Sequence, residues 1–260
     1  VIDMAENCQE GIDDRWAALV AERFSIEVDE QRNGAFVANL VSYSRRIGMD
    51  SEELFDRATT RKLDASHWSA IVHLATNHET KFFRYMPILS LIETLCLRKR
   101  NPQVLSVGCS TGEEPYSIAA RLLRSGHALF RVHGTDVSRS CIEKAQAGVY
   151  KPHPDMRTDI AANTGNGTIR IHQWVRDAVT FEVHNIMGDM PISFTSPDVI
   201  VTQNMLIYYK VETRHEILTR LGMMLPTNGY LITGPAEDAA WMPESLERIP
   251  NPTATIFRKV

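Results

Sequence analysis

From Pro102 onward, short apolar runs alternate with helical stretches, and this alternation constrains the fold more than any other feature of the chain. "VLSV" (104–107) is unbroken and apolar, a glycine turn follows, and "PYSIAARLLRSG" reads as a helix opened by Pro115 and closed near Gly126. "FRVHGTD" is a second strand, and "SRSCIEKAQAG" a helix with Ser138 as N-cap and Gly148 as terminator. Further on come strand "PDVIVTQN" (197–204), helix "VETRHEILTRLGMML", turn "PTNG", strand "YLITG" and a terminal strand in "TATIFRKV". Strand and helix at this spacing predict an α/β fold: a doubly wound, Rossmann-like parallel sheet covered on both faces.

Two segments depart from that rhythm. From Asp13 to about Arg100 the pattern is helical: Phe36, Leu40, Tyr43 and Ile47 form an apolar stripe that stops near Gly48, and Asp50-Ser51-Glu52-Glu53 opens a second helix. "SHWSAIVHLATN" and "MPILSLIETLCLRKR" read as two more, with Pro87 in a first turn. Between Tyr150 and about Val183, "TIRIHQW" and "AVTFEV" come after the turn signal "NTGNG" and alternate as half-buried antiparallel strands do. The expected organisation is an N-terminal helical domain (1–85), then an α/β domain (86–260) carrying a small antiparallel β subdomain at about 150–183.

The glycine loop limits the ligand. Gly108-Cys-Ser-Thr-Gly112 spaces its glycines four apart, which is neither G-x-G-x-x-G nor a loop ending in G-K-[ST]. Glu113 and Glu114 follow at once, at a helix N-terminus where a phosphate would otherwise be welcome. Two carboxylates repel a phosphate, so a cationic or hydroxyl-rich ligand fits better. Asp136 ends the next strand, placed to accept hydrogen bonds from ribose hydroxyls. S-adenosylmethionine meets these demands: it carries ribose hydroxyls, a sulfonium and an ammonium, and no phosphate. The plainer alternative stays open, with both acids complementing the helix dipole and Asp136 neighbouring an N-cap.

Bulk properties set broad limits. A formal charge of −4 and a pI near 6.2 give no global reason to expect nucleic acid. No apolar stretch approaches the ~20 residues of a membrane span, so a cytoplasmic protein is expected. The chain opens on Val1, and further natural N-terminal residues are expected before it. Cys8, Cys96, Cys109 and Cys141 lack metal spacing and read as free thiols. Cys109 is either a nucleophile or a small residue packed under the turn. The nine histidines suggest no metal site, and Trp68, Trp174 and Trp241 read as packing residues.

The stretch "SVGCSTGEEPYSIA" resembles the signature of the CheR family, chemotaxis receptor methyltransferases that esterify glutamate side chains using S-adenosylmethionine. "TNHETKFFR" (76–84), "GTD" (134–136) and "QNMLIYY" (203–209) agree in order and spacing, and the similarity covers nearly the whole chain. The resemblance implies an S-adenosylmethionine-dependent protein-glutamate O-methyltransferase of a bacterial sensory pathway, with S-adenosylhomocysteine as product. It also implies a cofactor pocket drawn from Asn77, Thr80, Arg84, Glu114, Asp136, Asn185, Ile186, Asn204 and Met205, leaving Glu113 as a helix-end charge. The family commonly has Arg-Asn where this chain has Gln203-Asn204. The expected partners are bacterial chemoreceptors, met by a monomer recruited to membrane receptor arrays without inserting in the bilayer. The alternatives are a small-molecule methyltransferase and a non-catalytic S-adenosylmethionine-binding signalling module.

Methyl transfer to a carboxylate that is already ionised needs no general base, so proximity and alignment carry the chemistry. Arg84 and Tyr208 are the expected catalytic residues, with Tyr209 a rival for the tyrosine's role. Their plainer readings are a surface charge and a sheet-edge cap. Arg32, Asn39 and Arg46, seven apart on one helix, form a candidate stripe for acidic receptor helices. Residues 1–75 nevertheless hold 14 Asp/Glu against 8 Lys/Arg, and a charge stripe is commonly just a solvated face.

Overall fold

The computed structural model describes residues 15–238 and 240–260; Cys8 and Asp13, named above, lie outside the described residues. The chain divides into two compact units: residues up to Asn77 together with Tyr208–Lys210, and His78–Ile207 together with Val211–Val260.

The first unit is helical: α1 (residues 15–24), α2 (Glu30–Arg46), α3 (Ser51–Thr59) and α4 (Ala65–Ala75). Each of the last three opens on an aspartate, Asp29, Asp50 or Asp64, whose carboxylate accepts a backbone N–H of the first turn. Each such cap is worth about 1 kcal/mol. Phe36, Leu40 and Tyr43 of the expected stripe are buried, while Ile47 falls at the helix end and is only partly so. Trp16, Val20, Ile71 and Val72 complete the centre, and the Tyr43 hydroxyl meets His67 Nδ1 at 2.6 Å.

The second unit begins with the turn 78–85 and α5 (Met86–Cys96), where Pro87 occupies the first turn. Then come β1 (Gln103–Val107), α6 (Glu113–Arg124), β2 (Arg131–Asp136), α7 (Arg139–Ala147), β3 (Val149–Tyr150), β4 (Ala161–Asn163), β5 (Ile169–Ile171), α8 (Gln173–Ala178) and β6 (Val179–Val183). The chain continues through β7 (Val199–Thr202), α9 (Val211–Met224), β8 (Tyr230–Thr233), β9 (Leu246–Ile249) and β10 (Thr255–Lys259). Seven strands form one sheet in the order β6-β2-β1-β7-β8-β10-β9, and β3-β5-β4 form a small antiparallel sheet. β1 and β7 are central and buried on both faces, which is why their sequences are continuous apolar runs.

The structure differs from the expectations in five places. "TIRIHQW", expected as a strand, is one only over Ile169–Ile171; Gln173 and Trp174 open α8, and Trp174, expected to pack, is exposed. "AVTFEV", expected as an antiparallel strand, becomes β6 and pairs in parallel with β2. Period-two alternation reveals a strand with one covered face, but the sense of pairing depends on the partner it finds. The main sheet is mixed: β10 runs antiparallel to both β8 and β9. Only five residues join β9 to β10, too few for the crossover that parallel strands need. β9 itself, "LERI", was not anticipated, because two charged residues mask its pattern. Finally, α6 starts at Glu113, so Pro115 stands inside the first turn, where its missing N–H costs nothing.

β1 is the switch point. The chain passes from it through α6 to β2 on one side, while β7 flanks it on the other. A crevice must therefore open at the carboxyl ends of β1, β2 and β7, where open α/β sheets bind ligands.

Candidate functional site

The glycine loop lies at this crevice, and four of its five backbone amides already donate within the protein. Gly108 and Cys109 donate to the Thr135 carbonyl, Gly112 donates to Cys109 O, and Ser110 donates to Asp136 Oδ2 at 2.8 Å. A phosphate cradle needs such N–H groups free. Gly108 (φ +74°) also lets the loop lie against the segment after β7, since a Cβ there would meet Met205 Cβ and Cγ at 2.8 Å.

Both acids of the loop belong to the first turn of α6, but they face different surroundings. Glu113 is buried and accepts from the Thr111 hydroxyl at 2.6 Å, so it closes the turn locally. Glu114 points back over the sheet: Ser106 Oγ donates to its Oε1 at 2.7 Å and Gln203 Nε2 to its Oε2 at 2.5 Å. Protein crowds this carboxyl, and burial pushes its pKa up to about 7; the Ser106 and Gln203 hydrogen bonds oppose the rise, buried Glu237 adds to it, and Arg84 opposes it. Gln203 Oε1 and Thr202 Oγ1 are buried acceptors without a hydrogen-bond partner among the described residues.

Asp136, ending β2, accepts from Ser110 N–H on one oxygen and from Ser138 N–H on the other. It therefore both shapes the glycine loop and starts α7. Next to it, His184 N–H donates to Asp136 O at 2.9 Å, which brings Asn185 and Ile186 beside the same strand end. Asn204 follows β7 in a left-handed conformation (φ 56°), and Met205 packs on Gly108.

The "TNHETKFFR" stretch spans the division between the units, with Asn77 ending the first and His78 opening the second. Within the second unit, Ser110 Oγ donates to His78 O at 3.1 Å, tying this stretch to the glycine loop. Phe82 and Phe83 are buried against Tyr150 and His153, and Phe83 N–H donates to Ser117 Oγ at 2.9 Å. Thr80 and Arg84 are partly buried nearby in sequence, and Arg84 Nη1 donates to Glu79 O at 2.9 Å. Tyr208 belongs to the first unit: its carbonyl accepts Glu27 N–H at 2.8 Å, and the Arg32 guanidinium lies 6.0 Å from its ring centre. Tyr209, its rival, is buried.

Cys109 is fully packed under the turn, and burial pushes its thiol well above the ordinary range. A thiolate nucleophile is therefore disfavoured there. Two further groups carry no motif. Ser106 is a lone hydroxyl in an apolar strand, which was a usable signal. Glu237, buried after β8, accepts Gly234 N–H at 2.9 Å, and nothing in its sequence neighbourhood marks it.

The residues of the second unit thus form a crevice rich in buried acceptors, closed to phosphate and shaped by glycine for close approach. That is the donor and acceptor set of a site for a cationic, hydroxyl-bearing nucleoside on a doubly wound sheet, and S-adenosylmethionine fits it. Residues 78–255 match the family described as CheR methyltransferase, SAM binding domain, and the chain belongs to that family. Among its relatives, the "Probable biofilm formation methyltransferase WspC" of Pseudomonas aeruginosa is 28% identical over 95% of this chain and 62% of its own length. The "Chemotaxis protein methyltransferase" of Klebsiella aerogenes is 30% identical, covering 86% of this chain and 82% of that protein. That of Salmonella typhimurium is 27% identical with the same coverage. The chain spans only 62% and 56% of the length of the two WspC proteins it matches. Among the described residues, no helix is long and apolar enough to cross a membrane.

Proposed function

We propose that this protein transfers a methyl group from S-adenosylmethionine to glutamate side chains of bacterial chemoreceptors, giving methyl esters in sensory adaptation. The observation that carries the cofactor half of this reading is the spent loop: every glycine-loop amide named above donates within the protein, and a part-buried carboxyl, Glu114, stands beside it. A nucleoside with a cationic end suits such a crevice, and a nucleotide does not.

The bound cofactor supplies an electrophilic methyl on a sulfonium. The work left to the chain is binding and alignment, because a glutamate substrate is ionised at neutral pH. Asp136 is assigned to the ribose hydroxyls, Asn185 and Ile186 to the nucleoside end beside it, and Glu114 to the cationic end. Gly108 and Met205 set the width of the crevice. Asn77, Thr80, Asn204 and Met205 are assigned to the cofactor by the family resemblance. Arg84 is assigned to gripping a carboxylate through its guanidinium fork. Tyr208 is assigned to orienting the methyl group or incoming carboxylate. The family's glutamate chemistry supports receptors as substrate, as do two relatives named for chemotaxis. The protein acts as a cytoplasmic monomer recruited to receptor arrays, with no nucleic-acid partner.

The test is incubation with methyl-labelled S-adenosylmethionine and receptor-enriched membranes. Base-labile label on receptors is expected. Label on small molecules alone, or none at all, overturns the reading. Arg84→Ala and Tyr208→Phe should each lower turnover at least tenfold; near-normal turnover in both removes the catalytic assignments.

A further inference from the structure

The turn carrying Asn185 and Ile186 is not held by the sheet. It leaves β6 after Val183 and closes on itself, with Gly188 N–H donating to Asn185 O at 2.8 Å and Met187 N–H to Asn185 Oδ1 at 3.0 Å. One flank faces a cavity of about 560 Å³ lined by Ile186, Gly188, Phe194, Met223 and Met224, so packing on that side leaves room to shift. Arg220 of α9 also lines this cavity and reaches the turn from there. Arg220 Nη1 donates to Ile186 O at 3.2 Å and to Gly188 O at 3.0 Å, while its Nη2 is steadied by Glu216 Oε1 at 2.7 Å. These two carbonyls lie outside any strand pairing, and a guanidinium is the side chain whose fixed fork can serve them and a carboxylate together. The same turn is joined at its other end to the carbonyl of Asp136, through His184 N–H.

We infer that Arg220 is a positioning residue for the nucleoside end of the cofactor: by holding the Ile186 and Gly188 carbonyls it fixes the Asn185–Ile186 turn beside Asp136. This rests on the cofactor assignment above. Arg220 acts through the turn, by its bonds to the Ile186 and Gly188 carbonyls. Its loss should therefore weaken every ligand that carries the nucleoside, whatever that ligand's other end, and leave turnover at saturating cofactor unchanged.

The experiment compares binding of S-adenosylhomocysteine and of adenosine, by calorimetry, to the wild-type chain and to Arg220→Met, Arg220→Lys, Glu216→Gln and Glu114→Gln. Arg220→Met is expected to weaken both ligands by a common factor of about ten, the scale of one charge-assisted hydrogen bond. Arg220→Lys should recover part of the loss and Glu216→Gln should cost two- to threefold. Glu114→Gln should weaken S-adenosylhomocysteine while sparing adenosine. In turnover, Arg220→Met should raise KM for S-adenosylmethionine without lowering kcat. Unchanged binding in Arg220→Met, or a loss confined to S-adenosylhomocysteine, overturns the inference while the cofactor assignment stands. A wild-type chain that binds neither ligand overturns the cofactor assignment and the inference with it. Should Arg220→Met fail to fold, Arg220→Lys and Glu216→Gln decide: equal fractional losses for both ligands support the inference, and no loss in either variant overturns it.

Discussion

Gln203 Nε2 donates to Glu114 Oε2 at 2.5 Å, across the mouth of the sheet from β7 to α6. A neutral amide thus stands where the resembled family commonly puts an arginine. The consequence is electrostatic. Glu114 keeps a pKa of about 7, because burial raises it and a neutral donor opposes that less than a guanidinium would.

Cofactor binding should therefore depend on pH around neutrality. The ligand's ammonium group favours ionised Glu114, so affinity for S-adenosylhomocysteine should rise as pH increases through about 7, with proton release on binding below that point. Gln203→Arg should move this midpoint down by about 1–3 units, the usual effect of a neighbouring guanidinium on a carboxylate. Calorimetry in buffers of different ionisation enthalpy reads both effects. The stability of the free protein should run the other way: a carboxyl whose folded pKa is raised contributes fully below its unfolded value and loses that contribution as pH rises through about 7.

Gly108→Ala should destabilise the protein by about 2 kcal/mol or more, from the left-handed φ and the clash together. The new Cβ would press on Met205 at 2.8 Å, so cofactor affinity should fall as well. Thermal unfolding and ligand titration on the same preparation separate the two effects; an unchanged melting temperature would contradict the close approach.

The thiols of the described cysteines should be sluggish. Burial pushes Cys96 up to about 12 and Cys141 to about 11, and Cys109 higher than its ordinary range. At pH 8, a colorimetric thiol reagent should modify these three far more slowly in native than in denatured protein. Rapid native labelling at Cys109, read by peptide mapping, would reopen a nucleophilic role for it.

Arg46→Glu should slow receptor methylation severalfold, and the wild-type rate should fall with added salt, if acidic receptor helices dock on α2. Arg46 is exposed, resting 5.4 Å from the Tyr43 ring centre, so its replacement leaves the core of the first unit in place. Arg32 is less clean as a probe because it neighbours the Tyr208 ring. Equal methylation rates with unchanged cofactor affinity would remove the docking stripe.

Much of this was present in the order of residues. The run "VLSV", the glycine pair and the acid of "GTD" are local patterns, and local patterns report helices, central strands and turns because backbone sterics and burial act within a few residues. They placed β1, α6, β2 and α7, together with Ser138 and Gly148 as the bounds of α7. The same information said that the loop should refuse a phosphate, since two adjacent acids need no tertiary context to repel one.

The rest depends on groups distant in the chain. Alternation in "AVTFEV" could not say that its partner would be the parallel strand β2. Adjacent Glu113 and Glu114 look equivalent in sequence, yet a rotation of about 100° per residue along α6 turns one toward Thr111 and the other toward Ser106 and Gln203. Arg220 is one more arginine on an amphipathic helix until the turn after β6 arrives beside it. The sequence by itself determined most of the helices, the central parallel strands and the sign of charge the ligand should carry. Only the tertiary structure decided which carboxyl faces Ser106 and Gln203, which side chains hold the turns around it and which strands pair antiparallel, because burial and hydrogen bonding between remote segments exist only once the chain has closed on itself.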